Sequence, residues 1–179
     1  MTINKPIHPS LNALFDAAVA QYPHRIAYAN LGVDLTYQTL NKRILQLASY
    51  LQNELQISAG ERIAIMLPNC LQQPISVFSA LRCGLVVVNV NPLYTPDELH
   101  HQLKDSGATC IIALENMAHV VEKAIHDTSI KHILLTKLSD EVPGLKGLLI
   151  NFVVKYIKRM VPRYRITNAI WWNETKRHE

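Results

Sequence analysis

A mostly parallel, doubly wound α/β sheet with flanking helices is the fold class this sequence predicts, and three observations carry the prediction. Between residues 62 and 136, short apolar runs alternate with segments of helical periodicity, which is the pattern of strand and helix crossovers. The runs Ile63-Ala64-Ile65-Met66-Leu67 and 85–90 lack polar alternation, so they read as strands of a parallel sheet, the first of them covered on both faces. Gly84 follows the helical spacing of Ile75, Phe78 and Leu81, where a residue without Cβ can close a helix in the left-handed conformation. Residues 62–90 thus form a right-handed strand, helix and strand unit on which the rest of the sheet is expected to build.

Taken in order, Ser10 caps a helix whose apolar side is Leu11, Leu14, Phe15, Ala18 and Val19, and Pro23 ends it. Residues 26–30 and 33–35 flank Leu31-Gly32 as a tight hairpin. Thr36 caps the longest helix, with Leu40, Ile44, Leu47, Ala48, Leu51 and Leu55 on one side. After the organising unit, Thr95-Pro96-Asp97-Glu98 supplies an N-cap, a proline at the first helical position and a capping-box glutamate. Leu99 and Leu103 give that helix its buried side, and Ser106-Gly107 its stop. Residues 109–114 read as a third strand, Met117, Val120, Val121, Ala124 and Ile125 as a crossover helix, and 132–136 as a fourth strand.

Composition limits the function classes. A hydrophobic content of 49% and a charged content of 18% describe an ordinary globular chain. Cys70, Cys83 and Cys110 form no CxxC pair, so they read as buried, reduced thiols in a cytoplasmic protein. The first residues lack the apolar core of a secretory signal, and no apolar run approaches the roughly 20 residues of a membrane span. From Pro143 onward eight cations face only Glu174 and Glu179, so the tail exceeds the whole chain's net +4 and the remainder is net acidic. That localised basicity does not predict nucleic acid.

The candidate chemistry is sparse. His100 and His101 are adjacent on a helix and point about 100° apart, unlike an i, i+4 metal pair, so they read as a solvated face beside Asp97 and Asp105. The six glycines are scattered, and the nearest pair, Gly144 and Gly147, reads as a loop between a strand and a helix rather than a phosphate cradle. Ser76 and Ser79 lie inside a helix, where hydroxyls bond back to the preceding turn. Cys83 reads as core.

RIAIMLPN, ALRCG and especially VVVNVNPLYTPDEL resemble the N-terminal region of bacterial long-chain fatty acid CoA ligases, members of the adenylate-forming superfamily. DLTYQTLNKR and NFVVKYIKRMVP extend the likeness, which spans roughly residues 10–170 in matching order. The resemblance implies that residues 1–179 are the N-terminal part of the large adenylate-forming domain, whether excised or naturally shortened. It also implies a parent that uses ATP and magnesium to make an acyl-adenylate, then passes the acyl group to CoA. The family's phosphate loop, magnesium-binding motif and catalytic lysine lie downstream of the matched region, so no catalytic, cofactor-binding or metal-binding residue carries over to this chain. The resemblance further implies that this layer packs on a second, similar one and exposes apolar surface when alone.

One segment could act by itself. A helix over 147–161, ended by Pro162, would gather Asn151, Lys155, Lys158 and Arg159 on one side, with Leu149, Ile150, Val153, Ile157 and Met160 opposite. Two readings stay open: a helix packed on the sheet with a solvated basic side, or contact of Lys155, Lys158 and Arg159 with an anionic membrane, peripheral on the inner face of the cell membrane. Trp171-Trp172 is either an interfacial anchor or a covered pair. The implied partners are the remainder of the ligase, fatty acid, CoA and an anionic membrane surface, with a second copy of the chain as a further candidate and no nucleic acid. The alternative to an inactive ligase portion is a stand-alone α/β binding or regulatory module at a membrane.

Overall fold

The computed structural model describes residues 8–177; the leader-free reading of the first residues and the charge of Glu179 lie outside them. Helix α1 (Leu11–Gln21) starts at Ser10, whose hydroxyl accepts the Ala13 N–H. Strands β1 (Ile26–Asn30) and β2 (Val33–Thr36) form an antiparallel hairpin, turned by Leu31 and Gly32 at φ 52° and 70°. Two left-handed residues in succession match the twist of the flanking strands, which is why a two-residue loop suffices. Helix α2 (Tyr37–Ser49) is capped by Thr36 and runs on through a π-turn, Tyr50–Glu54.

The main sheet is entirely parallel, in the order β4-β3-β5-β6-β7. Its strands are β3 (Arg62–Met66), β4 (Val86–Asn89), β5 (Cys110–Leu114), β6 (His132–Thr136) and β7 (Ile170–Trp171). The connecting helices are α3 (Gln72–Arg82) from β3 to β4, α4 (Pro96–Ser106) from β4 to β5, and α5 (Ala118–Ala124) from β5 to β6. The chain first builds outward from β3 to β4, then returns past β3 and continues on its other side. The strand order therefore reverses between β3 and β5.

Side-chain alternation assigns each strand residue to one of two cores. Ile63 and Ile65 of β3, with Cys110, Ile112 and Leu134, pack under α2 and α3. Ala64 and Met66, with Ile111, Ala113, Ile133 and Leu135, pack under α4 and α5. Both faces are covered, so the strands need no polar alternation. Thr95 and Glu98 form the expected capping box, Gly107 closes α4 at φ 62°, and Gly84 follows α3 at φ 69°.

Three expectations need correction, the apolar side of α1, the helix over 147–161 and the Gly144 to Gly147 loop, and two features, the edge position of β4 and the strand β7, have no counterpart in the sequence reading. Strand β4 lies at the sheet edge, where Val86 is 50% exposed, because no strand among the described residues pairs with its outer side. Along α1 only Phe15 is buried, against Tyr37 and Phe78; Leu11 and Leu14 stay exposed at the rim of a small cavity beside it. The two-residue strand β7 is too short to leave a sequence signal. The helix placed at 147–161 is instead α6 (Gly144–Phe152) followed by a π-turn, Val153–Ile157. Arg159 at φ 49° breaks the backbone before Pro162 can. Both Gly144 and Gly147 therefore belong to the helix and not to a loop.

Candidate functional site

The point where strand order reverses in an open parallel sheet leaves a crevice beyond the strand carboxyl ends, the usual ligand position in such folds. Here the crevice becomes a cavity of about 420 Å³. Pro68 after β3, Leu114 to Asn116 after β5, and Lys137 and Leu138 after β6 form its floor. Leu148, Asn151, Phe152, Lys155 and Tyr156 from α6 and its π-turn form its roof. The lining is mostly apolar with a few polar groups among it, a composition that suits an amphiphilic small molecule.

The roof is tied to the floor by charge. Glu115, buried just past β5, accepts hydrogen bonds from Lys155 Nζ at 2.9 Å and from the Tyr164 hydroxyl at 3.3 Å, both on Oε1. The Glu115 hydrogen bond holds the Lys155 ammonium above the ordinary lysine range. Burial first, and then the Glu115 charge, push the Tyr164 phenol up to about 12. Beneath the cavity, the Gln72 amide at the start of α3 donates to the Thr136 hydroxyl at 3.2 Å and the Lys137 carbonyl at 2.9 Å, joining the ends of β3 and β6. The Asp140 carboxylate accepts the Lys137 N–H at 2.7 Å and closes the loop after β6; burial raises its pKa despite these bonds.

A second buried carboxylate, Glu141, anchors the end of the described chain. Arg43 of α2 contacts both its oxygens, with Nη2 2.9 Å from Oε1, and the Trp172 indole N–H and Lys176 ammonium converge on the same oxygen. Burial alone would raise the Glu141 pKa, but the Arg43 bonds and charge, with Lys176 and Trp172, overcome it and leave the carboxyl below its ordinary range. Trp172 is fully buried, while Trp171 is half-buried with the Lys137 ammonium 5.1 Å from its ring, so both tryptophans are covered by the protein's own groups.

The three proposed membrane-facing cations differ in their partners. Lys155 turns inward to Glu115, whereas Lys158 and Arg159 are exposed beyond the π-turn. Apart from Lys146, the exposed side chains of α6 are apolar, led by Leu145 at 84% exposure.

The other candidates are structural. Ser76 Oγ donates to the Gln72 carbonyl at 2.7 Å, and Ser79 Oγ lies 2.6 Å from that of Ile75 and 2.9 Å from that of Ile44. Burial pushes the Cys83 thiol up to about 11 and Cys110 up to about 12, leaving both protonated and unreactive at neutral pH. His100 Nδ1 is 2.9 Å from the Ala124 carbonyl, and its ring stacks on His126, with centroids 4.6 Å apart. Among the described residues no three His, Cys, Asp or Glu side chains are grouped to hold a metal ion. Sequence reading missed Glu115, Tyr164 and the cavity. A lone glutamate directly after a buried strand was the available signal, since strand carboxyl ends line such crevices.

Comparison with known proteins gives the chain a consistent setting. The family described as "AMP-binding enzyme" matches residues 15–159. The chain is 46% identical over 176 residues to the long-chain-fatty-acid–CoA ligase of Salmonella typhimurium, covering 98% of this chain and 31% of that protein. It is 47% identical over 168 residues to the ligase of the same name from Escherichia coli O157:H7, covering 94% and 30%. Among solved structures, a long-chain-fatty-acid-CoA ligase from Archaeoglobus fulgidus superposes with a TM-score of 0.67 at 19% identity, over 75% of this chain and 29% of that one. At that identity the superposition speaks for the fold alone. The chain thus spans about a third of the length of these relatives, in their N-terminal portion.

Proposed function

The chain belongs to the AMP-binding enzyme family, and we propose that it serves as the N-terminal portion of a long-chain fatty acid CoA ligase. The observation that carries this reading is 46% identity sustained over 98% of the chain. In the proposed reaction a fatty acid carboxylate attacks the α-phosphate of ATP, giving an acyl-adenylate and pyrophosphate. The CoA thiol then attacks the acyl carbonyl and AMP leaves.

Within that reaction the residues of this chain build and do not catalyse. The six glycines are too scattered to cradle phosphates, and the resemblance places the family's phosphate loop and magnesium-binding motif downstream of the matched region. ATP and magnesium are therefore assigned to the rest of the ligase, and no step passes through a residue named here. The contribution assigned to this chain is the parallel sheet and the cavity roofed by α6 at the switch point between β3 and β5. The three buried thiols fit a cytoplasmic setting.

The test is a chimera in which this chain replaces the matching portion of the Salmonella typhimurium ligase. The chimera is expected to form acyl-CoA from oleate, ATP and CoA. A folded chimera without that activity, beside an active control carrying the equivalent Escherichia coli segment, would overturn the reading. The stand-alone membrane module is favoured by one observation, the outward apolar side of α6.

A further inference from the structure

The charges that line the cavity beneath α6 do not balance. Two of the lining residues are lysines and only Glu115 is acidic. Lys155 is taken by Glu115 at 2.9 Å. Lys137 is half-buried, and its ammonium, 5.1 Å from the Trp171 ring, enters no ion pair among the described residues. Asp140 follows closely in sequence, but its Oδ2 accepts the Lys137 backbone N–H at 2.7 Å and the Thr136 hydroxyl at 3.2 Å, and does not pair with the ammonium.

Much of the remaining lining is apolar, and part of it stays in water: Phe152 and Met160 are 52% and 53% exposed. A half-buried cation without a counter-charge beside uncovered apolar surface calls for a ligand with one anionic head and an apolar body. A volume of about 420 Å³ lies toward the lower end of small-molecule pockets, so it suits one compact molecule and not a two-chain lipid. A nucleotide fits poorly, because its string of phosphates would meet a single free ammonium. A cationic ligand has the wrong sign.

We propose that this cavity is an effector site for a compact monoanionic amphiphile. Its head pairs with the Lys137 ammonium, and its body fills the space between Leu114 and Leu138 on the floor and Phe152 and Met160 above. By contacting both sides, the ligand adds a second tie between α6 and the sheet, beside the Lys155 to Glu115 pair. α6 is then held down when the effector is present and is freer when it is absent. The ligand is bound and not converted, since among the described residues no Ser, Thr, Cys or His lines the cavity to act as a nucleophile. The inference does not rest on the ligase reading, and failure of the chimera would leave it standing.

Calorimetric titration of the chain with decyl sulfate, decanol and decylamine, which share one alkyl body, reads the preference for the head. Decyl sulfate, kept below its micelle concentration, is expected to bind about tenfold more tightly than decanol, and decylamine to bind most weakly. Lys137→Met should erase the advantage of decyl sulfate over decanol. Val154→Trp, which fills the cavity, should abolish binding of both, and Lys137→Met at its half-buried position keeps the test valid if the tryptophan variant does not fold. Leu145→Ser with Leu149→Ser should change neither affinity, because those leucines lie outside the cavity. Bound decyl sulfate should also slow amide exchange over residues 144–157. Equal affinities for the three probes, an advantage that survives Lys137→Met, or binding lost in the leucine variant would overturn the proposal, as would unchanged exchange in α6.

Discussion

Lys155 Nζ stands 2.9 Å from Glu115 Oε1, and this contact joins the helix over the cavity to the carboxyl end of the central strand β5. Glu115 is nearly fully buried while Lys155 remains 42% exposed, so the two halves of the pair are unequal. Removing the lysine leaves a carboxylate in the interior with only the Tyr164 hydroxyl to satisfy it. Lys155→Met is expected to destabilise the chain by about 1–3 kcal/mol and to speed amide exchange in α6, as urea denaturation and hydrogen exchange would report. The folded pKa of Lys155 lies above its unfolded value. Its contribution is therefore complete below about pH 10 and disappears as pH rises through the folded value, so the difference from wild type should narrow only in strong alkali.

The Glu141 cluster has the opposite pH sense. Its folded pKa is below the ordinary 4.5, so its stabilisation is complete above the unfolded value and is lost as pH falls through the folded one. Glu141→Gln should cost about 3–5 kcal/mol at neutral pH, because the buried Arg43 guanidinium loses its counter-charge. Melting temperatures from pH 7 to pH 2 check both statements. The wild type should lose its advantage over the variant within the acid limb, and a constant difference across that range would refute the assignment.

Sequence made the parallel sheet legible because burial on both faces is written directly into near-continuous apolar runs such as Ile63 to Met66. Caps were equally plain, since Thr95 and Glu98 are three residues apart and act on one turn. The orientation of α6 was not legible, because it depends on an ion pair between residues 40 positions apart. Helical periodicity puts leucines on one side of α6 and cations on the other, but it does not say which side faces the protein. Arg43 and Glu141 are 98 positions apart, and nothing local to either marks the partner. The edge position of β4 follows from which strands pair, a property of the whole sheet.

Two glycines test close backbone approaches, one in the turn after α3 and one inside α6. Gly84 adopts φ +69°, and a Cβ there would sit 3.2 Å from the Ala59 Cβ. Gly84→Val should cost at least about 1–2 kcal/mol from the left-handed backbone alone. At Gly147 a Cβ would fall 2.2 Å from the Val142 carbonyl oxygen, so Gly147→Ala must push α6 off its seat at a cost of about 1–3 kcal/mol. Unchanged denaturation midpoints in both variants would show that neither backbone contact is held as described.

The chain by itself is expected to release no pyrophosphate from ATP, magnesium and oleate. Phosphoryl chemistry of this kind is driven by donors and cations fixed in advance around the developing charge, shielded from water. The cations available here are placed otherwise. Arg43 is spent on Glu141 and Lys155 on Glu115, while Lys158, Arg159 and Arg163 stand in open water, where screening weakens their pull on a phosphate. The cavity at the strand ends brings Lys137 near, but its ammonium lies over the Trp171 ring. A coupled pyrophosphate assay should therefore read the same with the chain as with buffer. Release above that level, dependent on oleate and abolished by Lys137→Met, would mean that the cavity itself adenylates and that the division of labour proposed for this chain is wrong.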